Sequence, residues 1–320
     1  MPTQYTNTQL GGIDVDRTAS GENNSVEIVN SNGETRRILT NVTDLRDAKT
    51  IAESGDTITV FPGEYTTRNL LKDGVDWHFV DGAVVDNQGL SNGAFFENVG
   101  AHGSPGGKVE SDITGRGEFI YYGSDSSGDA FVNVGASKES DITIEAKRFE
   151  MPDGSEATFA LHATGKLEID IDYVYLSDPG SGASIGNVLA SVGRLFDNDN
   201  TDSELIIRAG TVEAPDERQG LLFGLNMEAA QHDGKVDIEI DKLITDPACT
   251  GYVGASQNTG SADVRFSIKE HQGKMAYGWF NFAGTPTPFL DDFNININDV
   301  FADNAGIWWY GDFGTIYGRS

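Results

Sequence analysis

Five carboxylates stand out by type and spacing: Asp141, Glu145, Glu168, Asp170 and Asp172. They occupy alternate positions of two short phrases, Asp141-Ile-Thr-Ile-Glu145 and Glu168-Ile-Asp-Ile-Asp172. If the phrases are neighbouring strands, matching positions form the columns Asp141/Glu168, Thr143/Asp170 and Glu145/Asp172. Neighbours in a column lie about 4.8 Å apart, so like charges there repel. Three chemistries are open to such a patch. It can be a solvated face, the usual fate of a charge run. It can hold a hard cation such as Ca²⁺ through its oxygens. It can supply catalytic carboxylates, because a separation of about 5 Å suits retaining glycoside hydrolysis. The last two need a pocket, and the first does not.

The elements that must position these carboxylates repeat. The phrase returns as Asp112-Ile-Thr-Gly-Arg116, Asp141 to Glu145, Glu168 to Asp172, Glu204-Leu-Ile-Ile-Arg208, Asp237-Ile-Glu-Ile-Asp241, Arg265-Phe-Ser-Ile-Lys269 and Asn294-Ile-Asn-Ile-Asn298. Alternation of apolar and polar residues marks a half-buried strand. An apolar run precedes several phrases, as in Phe131 to Val134, Phe159 to Leu161, Leu221 to Phe223 and Trp279 to Phe282. A short apolar segment follows: Phe149, Tyr173 to Leu176, Leu243-Ile244 and Val300-Phe301. Three strands in a period of roughly 30 residues describe one coil of a stacked solenoid. The fold expected is all-β, a single parallel β-helix with three strands per coil. An antiparallel sandwich has no reason to restart one phrase in register.

Residues 1–40 do not fit the repeat and read as a polar N-terminal arm, with 41–320 as the β-helix domain. Thr43 to Glu53 is the one good helix: Leu45, Ala48, Ile51 and Ala52 share a face, and Gly55 follows as a stop. Such a helix would cap the first coil and cover an open strand edge.

The chain carries 50 acidic against 22 basic residues, a net charge of −28. Phosphate backbones are therefore not expected partners, so no nucleic acid is implied. The charge suits a halophile, because at about 1 M salt the Debye length falls to about 3 Å. It equally suits an ordinary acidic surface. Cys249 stands alone, which leaves no intrachain disulfide. No apolar run has the length of a membrane span, and the N-terminus lacks the pattern of a signal peptide.

One stretch resembles a known family. Gly55-Asp-Thr-Ile-Thr-Val-Phe-Pro-Gly-Glu-Tyr65, then Lys72-Asp-Gly-Val75 and Gly82-Ala-Val-Val85, look like the opening coils of pectin-lyase-like right-handed β-helix proteins. The detailed resemblance covers about residues 42 to 85. It implies a right-handed helix. That superfamily includes polysaccharide lyases, polygalacturonases, and the tailspikes and fibres of tailed viruses, so the motif specifies the fold and leaves the activity open. Asn200-Thr201-Asp202 and Asp291-Asp292 are similar to polygalacturonase motifs, but they stand three coils apart, and the family's later Gly-His-Gly and Arg-x-Lys motifs are missing after Asp292.

The five histidines show no metal spacing, and no metal site or cofactor is expected beyond a weak Ca²⁺ candidacy. Trp308, Trp309 and Tyr310 are candidates for contact with a host surface or partner. Ile206, apolar at an outward position, is a candidate oligomer contact. The function expected is a virion structural protein: a tail fibre, spike or capsid-surface spike of a tailed virus, possessing no membrane span. The resemblance implies a homotrimer whose arm docks on other virion proteins and whose distal coils meet a host glycan or glycoprotein. The alternative is a β-helix depolymerase or lyase that works through the five carboxylates.

Overall fold

The computed structural model describes residues 24–88, 94–98, 107–122, 130–134, 139–152, 158–162, 165–176, 188–192, 204–215, 221–225, 235–246, 252–256, 263–273, 276–281 and 292–301. These residues are mostly strand. β1 (Ser25–Val29) and β2 (Thr35–Thr40) form an antiparallel hairpin. α1 (Arg46–Ile51) follows. The next strands are short: β3 (Thr57–Val60), β4 (Gly63–Thr66), β5 (Asp76–Phe79), β6 (Ala83–Asp86), β7 (Phe96–Asn98), β8 (Glu110–Gly115) and β9 (Glu118–Ile120).

Short and long strands then alternate. They run β10 (Ala130–Val134), β11 (Asp141–Met151), β12 (Thr158–His162), β13 (Lys166–Leu176), β14 (Val188–Val192) and β15 (Glu204–Ala214). The rest are β16 (Leu221–Leu225), β17 (Lys235–Thr245), β18 (Tyr252–Ser256), β19 (Asp263–Gln272), β20 (Ala276–Asn281) and β21 (Asp292–Phe301).

Two sheets result, and their pairing is parallel except at β1. The larger has fourteen strands and runs β2-β1-β3-β5-β8-β11-β13-β15-β17-β19-β21, with β4, β6 and β9 beside its first half. The smaller has seven and runs from β7 through β10, β12, β14, β16 and β18 to β20. Each repeat thus lays one strand in each sheet beside the same strand of the repeat before. Two strands of the polar 1–40 segment belong to this body, since β1 pairs antiparallel with β3.

The strand count per repeat differs from the sequence expectation. The phrase and the apolar segment after it are separate in the first repeats, as β3/β4, β5/β6 and β8/β9. From β11 on they are one continuous strand, and β11 pairs with both β8 and β9. The junction is a single column. Between the pairs Ala146↔Ile171 and Arg148↔Tyr173 the ladder passes over Lys147 and Asp172. Gly210 falls in this column, where a Cβ would come within 2.5 Å of the Asp172 carbonyl oxygen. Gly115 lies just ahead of it at φ +102°, where a Cβ would lie 2.2 Å from the Phe79 carbonyl oxygen. Such close backbone approach admits only glycine.

Alternation fills the core. Ile113, Ile144, Ile169, Ile207 and Ile238 pair in sequence along one column and are fully buried. Each burial contributes roughly 1.5–3 kcal/mol. Rings fill the wider first repeats: Trp77, Phe79, Phe95, Phe96, Phe119, Tyr121, Phe149 and Phe159 are fully buried. Phe119 meets Phe79 edge-on at 5.2 Å between centroids, and Phe149 meets Phe159 at 4.9 Å.

The helix is shorter than Thr43 to Glu53. Thr43 and Asp44 are held to β4 instead, because the Thr66 N–H donates to the Thr43 carbonyl at 2.7 Å and Asp44 bridges to Thr66. Leu45, Ala48 and Ala52 are buried as expected, but Ile51 is turned out to solvent. Lys72 closes the helix end: its Nζ donates to the carbonyls of Lys49 (3.0 Å) and Ala52 (2.5 Å). Among the described residues no helix is long and apolar enough to cross a membrane.

Candidate functional site

The five candidate carboxylates lie together on the outer face of β11 and β13, where alternation places them. Their columns differ from the sequence alignment. Asp141 pairs with Lys166, Thr143 with Glu168, and Glu145 with Asp170. The phrases at 112, 168, 237, 265 and 294 share one register, and those at 141 and 204 start two residues early. Thr143 and Ile206 occupy the column that Asp141 and Glu204 were expected to fill. A shift of two preserves which residues point inward, so the apolar pattern does not resist it.

The corrected register changes the electrostatics. Both expected like-charge pairs, Asp141/Glu168 and Glu145/Asp172, disappear. Asp141 meets Lys166 Nζ at 3.4 Å. Asp172 accepts from Arg116 Nη2 at 2.9 Å. Lys147, in the corner column beside Asp172, reaches Asp81 at 3.0 Å and Glu118 at 2.8 Å. Both carboxylates hold its ammonium above the ordinary lysine range, the hydrogen bond to Glu118 contributing most.

One like-charge pair takes their place. Glu145 and Asp170 face each other across β11 and β13, with Cα atoms about 5 Å apart. Partial desolvation, then Glu145, Asp172 and Glu168, raise the Asp170 carboxyl above the usual carboxylate range, against the pull of Arg208 from β15. Asp170 is thus more easily protonated than an ordinary aspartate, beside a partner that it opposes.

Further along, the face becomes a lattice of ion pairs. Lys235 meets Glu204 at 2.9 Å, and Lys269 meets Asp241 at 2.5 Å and Glu239 at 3.1 Å. Asp237 is its centre. Its side chain is 8% exposed and lies between Arg208 Nη2 at 3.1 Å and Arg265 Nη1 at 3.6 Å. Its second oxygen, Oδ1, is buried with no hydrogen-bond partner among the described residues. Ile206, the candidate oligomer contact, is half-buried in this lattice, with Glu168 and Asp237 on either side.

A second group escaped the sequence reading. On the far half of the long strands, the Arg148 guanidinium lies 4.8 Å from the Tyr173 ring centroid and bonds Glu150 at 2.7 Å. The Tyr173 hydroxyl donates to Glu213 at 2.5 Å. Burial and Glu213 push that hydroxyl far up. The signal available was Tyr173-x-Tyr175 on the outward parity, which the reading absorbed into an apolar segment. Trp308, Trp309 and Tyr310 lie outside the described residues, as do Asn200 to Asp202 and Asp291. Among the described residues no group of three or more His, Cys, Asp or Glu is placed to hold a metal ion.

Comparison of the chain with protein-family models, with curated proteins and with solved structures gave no match.

Proposed function

We propose that the chain is a virion structural protein, a tail fibre, spike or capsid-surface spike of a tailed virus. It is built as one right-handed parallel β-helix whose first coil is closed by α1. Three such chains associate, the N-terminal segment docks on the particle, and the distal coils meet a host glycan or glycoprotein. The observation that carries this reading is the pairing of the outer face. From β15 to β19 four carboxylates of the outer face, Glu204, Asp237, Glu239 and Asp241, have cationic partners. A face whose charges neutralise one another along the stack suits a stiff shaft. Mass by light scattering, in molar salt and in dilute buffer, tests it. A trimer in molar salt is the expected result, and loss of the trimer on dilution of the salt fits a halophilic virus. A monomer in both buffers overturns the reading.

One observation favours the depolymerase alternative. Glu145 and Asp170 are adjacent, and Asp170 holds its proton more readily than an ordinary aspartate. Two carboxyls side by side, one of them raised, are the kind of arrangement that retaining glycoside cleavage uses. Asp170→Asn and Glu145→Gln, each with its strand content intact, would abolish cleavage of an acidic or neutral polysaccharide if this were the activity.

A further inference from the structure

The hairpin of β1 and β2 turns through Ser31, Asn32 and Gly33, and Asn30 organises the turn. The Asn30 N–H donates to the Glu34 carbonyl at 2.9 Å, and the Gly33 N–H donates to the Asn30 carbonyl at 2.9 Å. The side-chain oxygen of Asn30 accepts from the N–H groups of Asn32 at 3.0 Å and Glu34 at 2.9 Å. Gly33 closes the loop at φ +81°, the conformation that such hairpin loops reserve for glycine. Residues 31–34 are all exposed.

An asparagine followed by glycine is chemically labile. The next backbone nitrogen can attack the asparagine side-chain carbonyl carbon, and glycine leaves that nitrogen uncrowded. Around Gly33 the space is open, with nothing within 4 Å of where a Cβ would stand. Asn41 gives the contrast. It is exposed too, but the buried and branched Val42 follows it. The chain's other Asn-Gly pair, Asn92-Gly93, lies outside the described residues.

We propose that Asn32 is a site of spontaneous deamidation, and that the isoaspartate it leaves loosens β2. The Gly33 nitrogen gives up its proton and bonds to Asn32 Cγ. The Cγ–Nδ2 bond breaks, and the side-chain nitrogen leaves as ammonia. Water then opens the cyclic imide at either carbonyl, giving aspartate or isoaspartate. Water is the only co-reactant, and the loop is exposed to it. The fold sets the rate, because the Gly33 N–H must first leave the Asn30 carbonyl. Isoaspartate then carries the main chain through its side-chain carbon and lengthens the loop by one atom, so the bonds to Asn30 lose their register. β2 is the outermost strand of the larger sheet, where opening costs least. Its Arg36 holds Glu53 at 2.8 Å and Asp56 at 2.7 Å, so the loosening is passed on to the junction between α1 and β3.

Peptide mapping by mass spectrometry tests the proposal on the full chain held in neutral and in mildly alkaline buffer. Asn32 should become a mixture of aspartate and isoaspartate, faster in alkali, while Asn41 stays intact. Asn30→Ala removes the acceptor of two N–H groups and should speed the conversion about 10-fold. If that variant does not fold, the wild type unfolded in urea should show the same acceleration. Hydrogen exchange of the converted chain should show protection lost at β2 and kept at β13. Asn32→Gln, whose larger ring closes far more slowly, should keep β2 protected through the same storage. The proposal is refuted if Asn32 survives in the folded chain over the time that converts it in urea. It is refuted equally if aspartate forms without isoaspartate, or if conversion leaves the exchange of β2 unchanged.

Discussion

Asp237 and Asp172 differ in what surrounds a carboxylate, and the difference sets what each ion pair contributes. Arg116 and Asp172 are more than half exposed, and such pairs contribute about 0–1 kcal/mol. Arg208 covers a carboxylate that has almost no water. Removing it leaves Asp237, among the described residues, with the longer contact to Arg265 at 3.6 Å. Arg208→Ala is therefore expected to cost about 1–3 kcal/mol, and Arg116→Ala under about 1 kcal/mol, in urea denaturation. Equal losses would show that burial of Asp237 is immaterial. Asp170 acts in the opposite direction. Its carboxyl is raised in the folded chain, so the fold favours the protonated form. Its ionisation destabilises the fold as pH rises through the raised value, and below the unfolded value that penalty is absent. Asp170→Asn should raise the melting temperature at pH 7, and the gain should shrink both in acid and in molar salt.

The long strands depend on their corner. Gly210 brings β15 against the Asp172 carbonyl so closely that one added carbon collides with backbone, which cannot swing away as a side chain could. Gly210→Ala should cost about 2 kcal/mol or more, the range of overpacked core positions. Gly107→Ala is the control, because nothing lies within 4 Å of the added carbon there. Comparable melting temperatures for the two variants would mean that the corner is not a tight point. At the other end of the body, α1 has only six residues, too few to hold itself. Its termination rests on Lys72, so Lys72→Met should loosen α1 by about 1 kcal/mol, seen as faster exchange at Ala48 and Ala52 with β3 and β5 unchanged.

For the molecule as a whole, two electrostatic effects oppose each other. The net charge of −28 repels itself, whereas the lattice on β15 to β19 attracts. Salt screens both, but the lattice pairs are within 4 Å and the net repulsion acts over longer distances, so screening removes more of the repulsion. The melting temperature should therefore rise from dilute buffer to 1 M salt. A fall would mean that the ion pairs dominate the balance.

The sequence by itself determined the all-strand class, the repeat and the inward set. Ile113, Ile169, Ile238 and Ile268 are buried as their alternation required, because a period of two leaves an apolar residue only one face to hide on. It also placed the five carboxylates on one outer face. Tertiary structure decided which of them meet. A slide of two residues returns every side chain to the same face, so the pattern that specifies burial is silent on register. The choice fell to the corner column and to charge: in the register adopted, Asp141 lies beside Lys166 and Glu204 beside Lys235, where the sequence alignment stacked acid on acid. The fusion of two short strands into one and the burial of Asp237 depend in the same way on neighbours about 30 residues distant in the chain. Local alternation carries no record of them.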